Sequence, residues 1–208
     1  MRSLILGFSL CLILLSGLMA FTIAAAEPAV RNIVYIHVPA AISALACFCV
    51  LFITSVGYLR TRKPGFDHAA AACAEVAFVF ATVLNATGSI FAYAEWGTWW
   101  TASPRLITSA ALWFLCVGYF LLRAAIAEPQ RRARICAVFG IIAFVDVPFV
   151  IISARLVRDI HQPSISFDTS WQKTAFGVGI LGMVCLALAL VWIRSNILAA
   201  KAQLDAET

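Results

Sequence analysis

Charge is scarce in this chain. Only 12% of its 208 residues are Asp, Glu, Lys or Arg, while 63% are hydrophobic and the mean hydropathy is +0.96. A soluble domain carries about 25% charged and roughly 45–50% apolar residues, so this composition excludes one. Cysteine pairs at redox or zinc spacing are missing as well. Cys11, Cys47, Cys49, Cys73, Cys116, Cys136 and Cys185 all fall inside apolar runs, and Cys47 and Cys49 form C-F-C rather than C-x-x-C. They read as small buried apolar residues, not as a disulfide or metal framework. Strict polar–apolar alternation is absent too, which argues against a membrane β-barrel. Low-complexity tracts and a second domain are not visible, so residues 1–208 read as one membrane domain.

What is present is a set of long apolar segments. In lipid each backbone N–H and C=O must be satisfied within its own segment, so these segments are expected to be helices. A span needs about 20 largely apolar residues. By that criterion six candidates lie near 4–25, 33–59, 69–93, 106–127, 134–155 and 173–194. The expected fold class is all-α, a polytopic membrane protein with six transmembrane helices. The first segment also has features of a secretory signal peptide, but its apolar run exceeds the usual 7–15 residues; a retained helix is the reading adopted.

The formal net charge of +5 does not point to nucleic acid, because in a membrane chain the position of basic residues matters more than their sum. Arg2, Arg60, Arg62, Lys63, Arg123, Arg131, Arg132, Arg134, Arg194 and Lys201 fall on one side, ten of the fifteen Lys and Arg. Arg31, Arg105, Arg155, Arg158 and Lys173 fall on the other. The positive-inside rule then puts both termini in the cytoplasm, with outer loops near 26–32, 94–105 and 156–172.

The outer face gathers unusual residues. "AEWGTWW" places Trp96, Trp99 and Trp100 around Gly97. His37, in "VYIHVPAA", begins the second span, and His161, in "RDIHQPSISFD", lies in the third outer loop. Neutral imidazole is a good axial ligand for haem iron, and tryptophan offers an apolar plane with one polar N–H. Arg105 and Arg31 suit the carboxylates of haem propionates. A plain interfacial aromatic belt and hydrogen-bonded structural histidines explain the same residues without a ligand, and composition alone leaves both readings open. His68, beside Asp67 on the cytoplasmic side, reads as a solvated loop residue. Asp146, in "FVDVP", and Glu75 are ionisable groups inside spans, where such groups are functional candidates by default. Asp146 equally fits a structural role, capping backbone freed by Pro148 or pairing with Arg155.

The order "YIHVPAA", "AEVAFVF" with "TGSI", "WGTWW" with "PRL", "FVDVP" and a loop histidine resembles the CcmC family, haem-handling membrane proteins of cytochrome c maturation. The resemblance runs from about Val30 into the sixth span. It implies six helices, a tryptophan-rich "WWD" outer loop, and non-covalent haem b held by two outer histidines. It further implies presentation of that haem to the chaperone CcmE, work alongside CcmA, CcmB and CcmD, and residence in the bacterial inner membrane. By position His37 and His161 match the two histidines, which makes them the expected iron ligands. Trp96, Trp99 and Trp100 match the start of the tryptophan motif. Relatives usually read "WGTWWxWDxRLT"; here Ala102 stands for a tryptophan and Ser103 for the aspartate. The expected cofactor-binding set is therefore His37, His161, Trp96, Trp99, Trp100, Arg105 and, in second place, Asp146.

The expected function is that of a haem carrier, not an enzyme, with membrane lipid and the other Ccm components as partners. No C-x-x-C-H motif is present for a thioether link to haem. A haem b electron carrier or quinone oxidoreductase subunit needs histidine pairs at membrane depth, and no histidine lies mid-span. A small-solute transporter needs polar clusters at the midplane, and only Asn85 and Asp146 come close.

Overall fold

The computed structural model describes residues 2–25, 29–156 and 167–207. Among them the chain forms α1 (Arg2–Phe21), a 3-10 turn (Ala29–Ile33), α2 (Val34–Thr61), α3 (Pro64–Trp96), α4 (Pro104–Ala125), α5 (Pro129–Phe144), α6 (Asp146–Leu156) and α7 (Ser170–Glu207), with no strand. Six helices are long and apolar enough to cross a membrane, the fifth running through α5 into α6. The chain is an all-α polytopic membrane protein.

Helix starts follow proline. Pro64, Pro104 and Pro129 each open a helix, where the missing N–H costs nothing and the fixed φ suits the first turn. Ser103 and Glu128 then cap the exposed N–H groups of α4 and α5. A two-residue connection, Arg62 and Lys63, folds α3 back onto α2. Their contact is built from small residues: Ala40, Ala44, Ala70, Ala74, Ala77 and Ala81 are all buried. Without a hydrophobic drive between helices in lipid, such residues let backbones approach and dispersion contacts accumulate. Cys47, Cys73, Cys116 and Cys136, from α2, α3, α4 and α5, sit in the same core cluster as free thiols.

α1 packs on α7 rather than on α2. Ser16 donates to the carbonyl of Ala175 at 2.8 Å across that contact. Pro39 explains a neighbouring feature: lacking an N–H, it leaves the Tyr35 carbonyl without its helical donor. Gly179 of α7 lies against that carbonyl, close enough that a Cβ would stand 3.4 Å from it and 2.7 Å from Ser16 Oγ.

The segment expected at 134–155 is one span, Pro129–Ser153, interrupted by a one-residue fault at Val145. Pro148 is the physical reason: it has no N–H to give to the carbonyl of Phe144 four residues back, and the Val145 N–H turns to Ile142 O at 3.0 Å. His68, expected as a solvated loop residue, lies in α3, half-buried, and its Nδ1 has no hydrogen-bond partner among the described residues. The helix includes it because Pro64 starts α3 well before the apolar run. α3 and α7 contain 33 and 38 residues, so at about 1.5 Å per residue both outrun a hydrocarbon core of about 30 Å.

Charged residues tie the helices together at the end where α3 begins and α4 ends. The Arg123 guanidinium grips Asp67 through two bonds, 2.7 and 2.9 Å, and lies 5.8 Å from the Tyr119 ring centre. Glu75 of α3, expected as a functional candidate, is paired with Arg194 of α7 through two guanidinium nitrogens.

Candidate functional site

The opposite end of the bundle assembles the start of α2, the end of α3, the start of α4 and the last turns of α6. His37 lies in the first turn of α2, half-buried against α3. Its Nδ1 is 3.0 Å from the hydroxyl of Thr87. That hydroxyl has one hydrogen, and it points to helix carbonyls, Val83 O at 2.6 Å and Leu84 O at 3.2 Å. With that hydrogen on a helix carbonyl, Thr87 Oγ1 accepts and His37 Nδ1–H donates. The neutral ring then carries its lone pair on Nε2, the tautomer a metal ligand needs, with its orientation fixed by the partner on the other nitrogen.

Gly88 gives the ring its room. A Cβ there would stand 3.1 Å from His37 Cε1, tight enough to displace the imidazole. Thr87 and Gly88 begin the "TGSI" string, which sequence reading noticed without assigning either residue a task. A Thr-Gly pair late in α3, one span away from a histidine at the same membrane level, is the signal that was available.

The tryptophan loop begins where α3 ends. Gly97 stops the helix in the left-handed conformation, φ +71°, with its N–H on Tyr93 O; a glycine adopts this without the Cβ penalty. The three tryptophans then separate. Trp96 is half-buried and meets Phe91 edge-on at 5.6 Å. Trp99 stacks on Tyr93, centroids 4.3 Å apart and planes within 11°. Tyr93, Trp99 and Trp100 are 50%, 57% and 45% exposed, so they present the apolar surface of this loop. Tyr93 went unnoticed in the sequence because nothing in its spacing shows that a glycine-capped turn folds Trp99 back onto it.

Beyond the tryptophans, the hydroxyl of Thr101 is buried with no hydrogen-bond partner among the described residues. Ser103, where the resemblance implies an aspartate, is 7% exposed and its Oγ accepts from the Leu106 N–H at 3.4 Å. Serine and aspartate are both good N-caps, so the substitution retains the start of α4 while removing a charge. Arg105 is the second residue of α4, half-buried at the loop's exit. α6 is tied to this end by the Thr108 and Ser153 hydroxyls, 3.2 Å apart.

Not every expected residue is gathered here. Asp146 starts α6, which runs 11 residues to Leu156, so about 15 Å of helix separates it from this end. Its Oδ2 is buried with no partner among the described residues. His161 and Arg158 lie outside the described residues, as does the side chain of Arg155.

The donor types at this end, an imidazole, exposed indole planes, a buried hydroxyl and an arginine at the loop's exit, are those that a haem's iron, porphyrin face and propionates would need.

Known proteins are similar to this chain over most of its length. A family model described as CcmC, Heme exporter protein C, matches residues 1–207. A Heme exporter protein C from Rhodobacter capsulatus is 31% identical over 190 residues, covering 85% of this chain and 77% of its own length. That of Paracoccus denitrificans is 29% identical over 180 residues, covering 82% of this chain and 73% of its own. That of Escherichia coli K12 is 28% identical over 166 residues, covering 78% and 68%.

Proposed function

This chain belongs to the Heme exporter protein C family, and on that premise we propose that it handles haem in cytochrome c maturation. It holds haem b non-covalently at the end of the bundle that carries His37. The observation that carries this reading is the Thr87–His37 contact, which fixes the ring through Nδ1 and makes Nε2 the proposed iron ligand. His161 is the second axial ligand, as the family resemblance implies. Trp99 and Trp100, backed by Tyr93, lie against the porphyrin, while Arg105 and the Thr101 hydroxyl meet propionates. Trp96 supports the loop from α3 rather than presenting a face. Asp146, remote along α6, acts on the site only through the α4–α6 contact.

The protein is a carrier, not an enzyme. Its residues bind and orient haem, then release it to the chaperone CcmE, with CcmA, CcmB and CcmD as further partners. The exposed aromatic loop supports this, because a surface that holds a flat apolar ligand at the membrane edge also leaves it within reach of a second protein. A solute transporter is less well supported: Asn85, one of the two midplane candidates, spends its amide on Ala81 O at 2.8 Å and Ser109 O at 3.2 Å.

The bacterial relatives support placement in the inner membrane, and the distribution of Lys and Arg supports both termini in the cytoplasm. Reporter fusions after Lys63 and after Gln130 are expected to read cytoplasm, and fusions at Thr98 and Ser164 to read periplasm. A cytoplasmic reading at Thr98 rejects the proposed site outright.

Trp99→Ala is expected to lower haem affinity about five- to tenfold, the loss of one stacked aromatic plane at about 1 kcal/mol or more. Haem titration at matched levels of inserted protein measures it. Trp99→Phe should retain most of the affinity. Equal haem retention in Trp99→Ala and Trp100→Ala would reduce the loop to an interfacial anchor.

A further inference from the structure

We propose that the groove between α4 and α5, toward the end opposite His37, is a binding site for one anionic phospholipid. The groove has a volume of about 320 Å³ and is lined by Leu122 of α4 and by Arg134, Ile135, Val138, Phe139 and Ile142 of α5. Both helices are membrane spans, so the groove faces hydrocarbon and an acyl chain is its natural filling. Its floor is aromatic. The Phe139 ring lies on the α4 backbone, its Cζ 3.0 Å from where a Cβ of Gly118 would stand.

Charge selects the headgroup. Arg131, Arg132 and Arg134 fall in the first two turns of α5, and none makes an ion pair among the described residues; the pairs there belong to Arg123 and Arg194. Glu128, the neighbouring carboxylate in the chain, has both oxygens on backbone N–H groups, Gln130 at 2.8 Å and Arg131 at 2.6 Å. Arg134 thus lines an apolar groove at the membrane edge without a carboxylate partner, and Arg131 stands three residues before it on the same helix. A basic rim over such a groove recognises a phosphate with a net negative headgroup. A zwitterionic headgroup carries its own cation and gains less.

The test uses the full chain in vesicles of equal phosphatidylglycerol and phosphatidylcholine, extracted in mild detergent, with retained lipid counted by mass spectrometry. Phosphatidylglycerol is expected to be enriched about fivefold over phosphatidylcholine, at one molecule per chain. Arg134→Gln is expected to bring the ratio close to that of the vesicle. Val138→Trp, which fills the groove, is expected to remove both lipids while helical circular dichroism is unchanged. If Val138→Trp does not fold, Arg134→Gln decides alone. Equal retention of the two lipids by the wild type, or enrichment that Arg134→Gln leaves intact, overturns the proposal.

Discussion

His37→Ala is expected to abolish the six-coordinate, low-spin haem spectrum and to lower haem occupancy more than any other single change at this end of the bundle. The substitution removes an iron ligand, whereas a tryptophan substitution removes one apolar contact among several. The Thr87 hydroxyl makes the expectation more specific. Thr87→Val keeps the shape of the side chain but removes the acceptor for His37 Nδ1–H, leaving the ring free to rotate and to exchange its tautomer. Loss of such an outer partner typically costs about 10- to 100-fold in metal affinity. Haem titration should therefore rank the wild type above Thr87→Val and Thr87→Val above His37→Ala. His68→Ala, on α3 far from this end, should leave the spectrum unchanged. A Thr87→Val protein that binds haem as well as the wild type would detach the hydrogen bond from ligation.

The second large effect concerns stability rather than haem. Asp67→Ala or Arg123→Ala should each destabilise the protein by about 3 kcal/mol, the lower end of the cost of orphaning one partner of a buried ion pair. The lower end applies because the two side chains are 11% and 20% exposed. Each single change leaves a charge at the α3–α4 contact, and the Arg123 side chain also spans the Tyr119 ring. Replacing both partners together, Asp67→Leu with Arg123→Met, should recover most of the loss, since an apolar pair of similar size carries no orphaned charge. Denaturant titration in detergent micelles reads all three. Single variants within about 0.5 kcal/mol of wild type, the range of an ordinary surface change, would show that the pair is a solvated surface contact.

Much of the fold was legible because the bilayer writes it into composition. Continuous apolar runs admit few solutions other than helices, and Pro64, Pro104 and Pro129 mark the starts of three of them. The ends were less legible. Hydropathy responds to the hydrocarbon layer, not to the helix, so the polar extensions of α3 and α7 lay outside the expected spans. His68 was taken for a loop residue for the same reason. The break at Val145 was implicit in Pro148, which was expected to disturb the helix without a position for the fault.

The candidate site was legible in its parts. His37, Arg105 and the tryptophans stand out by type and by resemblance, and the structure puts them at one end of the bundle. Their relations were not legible. That Thr87 orients His37, that Gly88 makes room for the ring and that Tyr93 backs Trp99 depend on the packing of α2 on α3 and on the turn at Gly97. Ser103 teaches the same lesson. From the motif it is a missing carboxylate; in the fold it is a helix cap.

The most direct measurement is chemical rescue at His37. In a His37→Gly variant the space beside Gly88 is left open, and free imidazole supplied in solution has the same nitrogen to offer the iron. If His37 Nε2 is an axial ligand, the variant's ferric spectrum is perturbed without imidazole and returns to the low-spin, six-coordinate form as imidazole is added. The same titration of wild-type protein should produce no change. A His37→Gly protein whose haem spectrum already equals that of the wild type, with or without imidazole, would contradict ligation by His37.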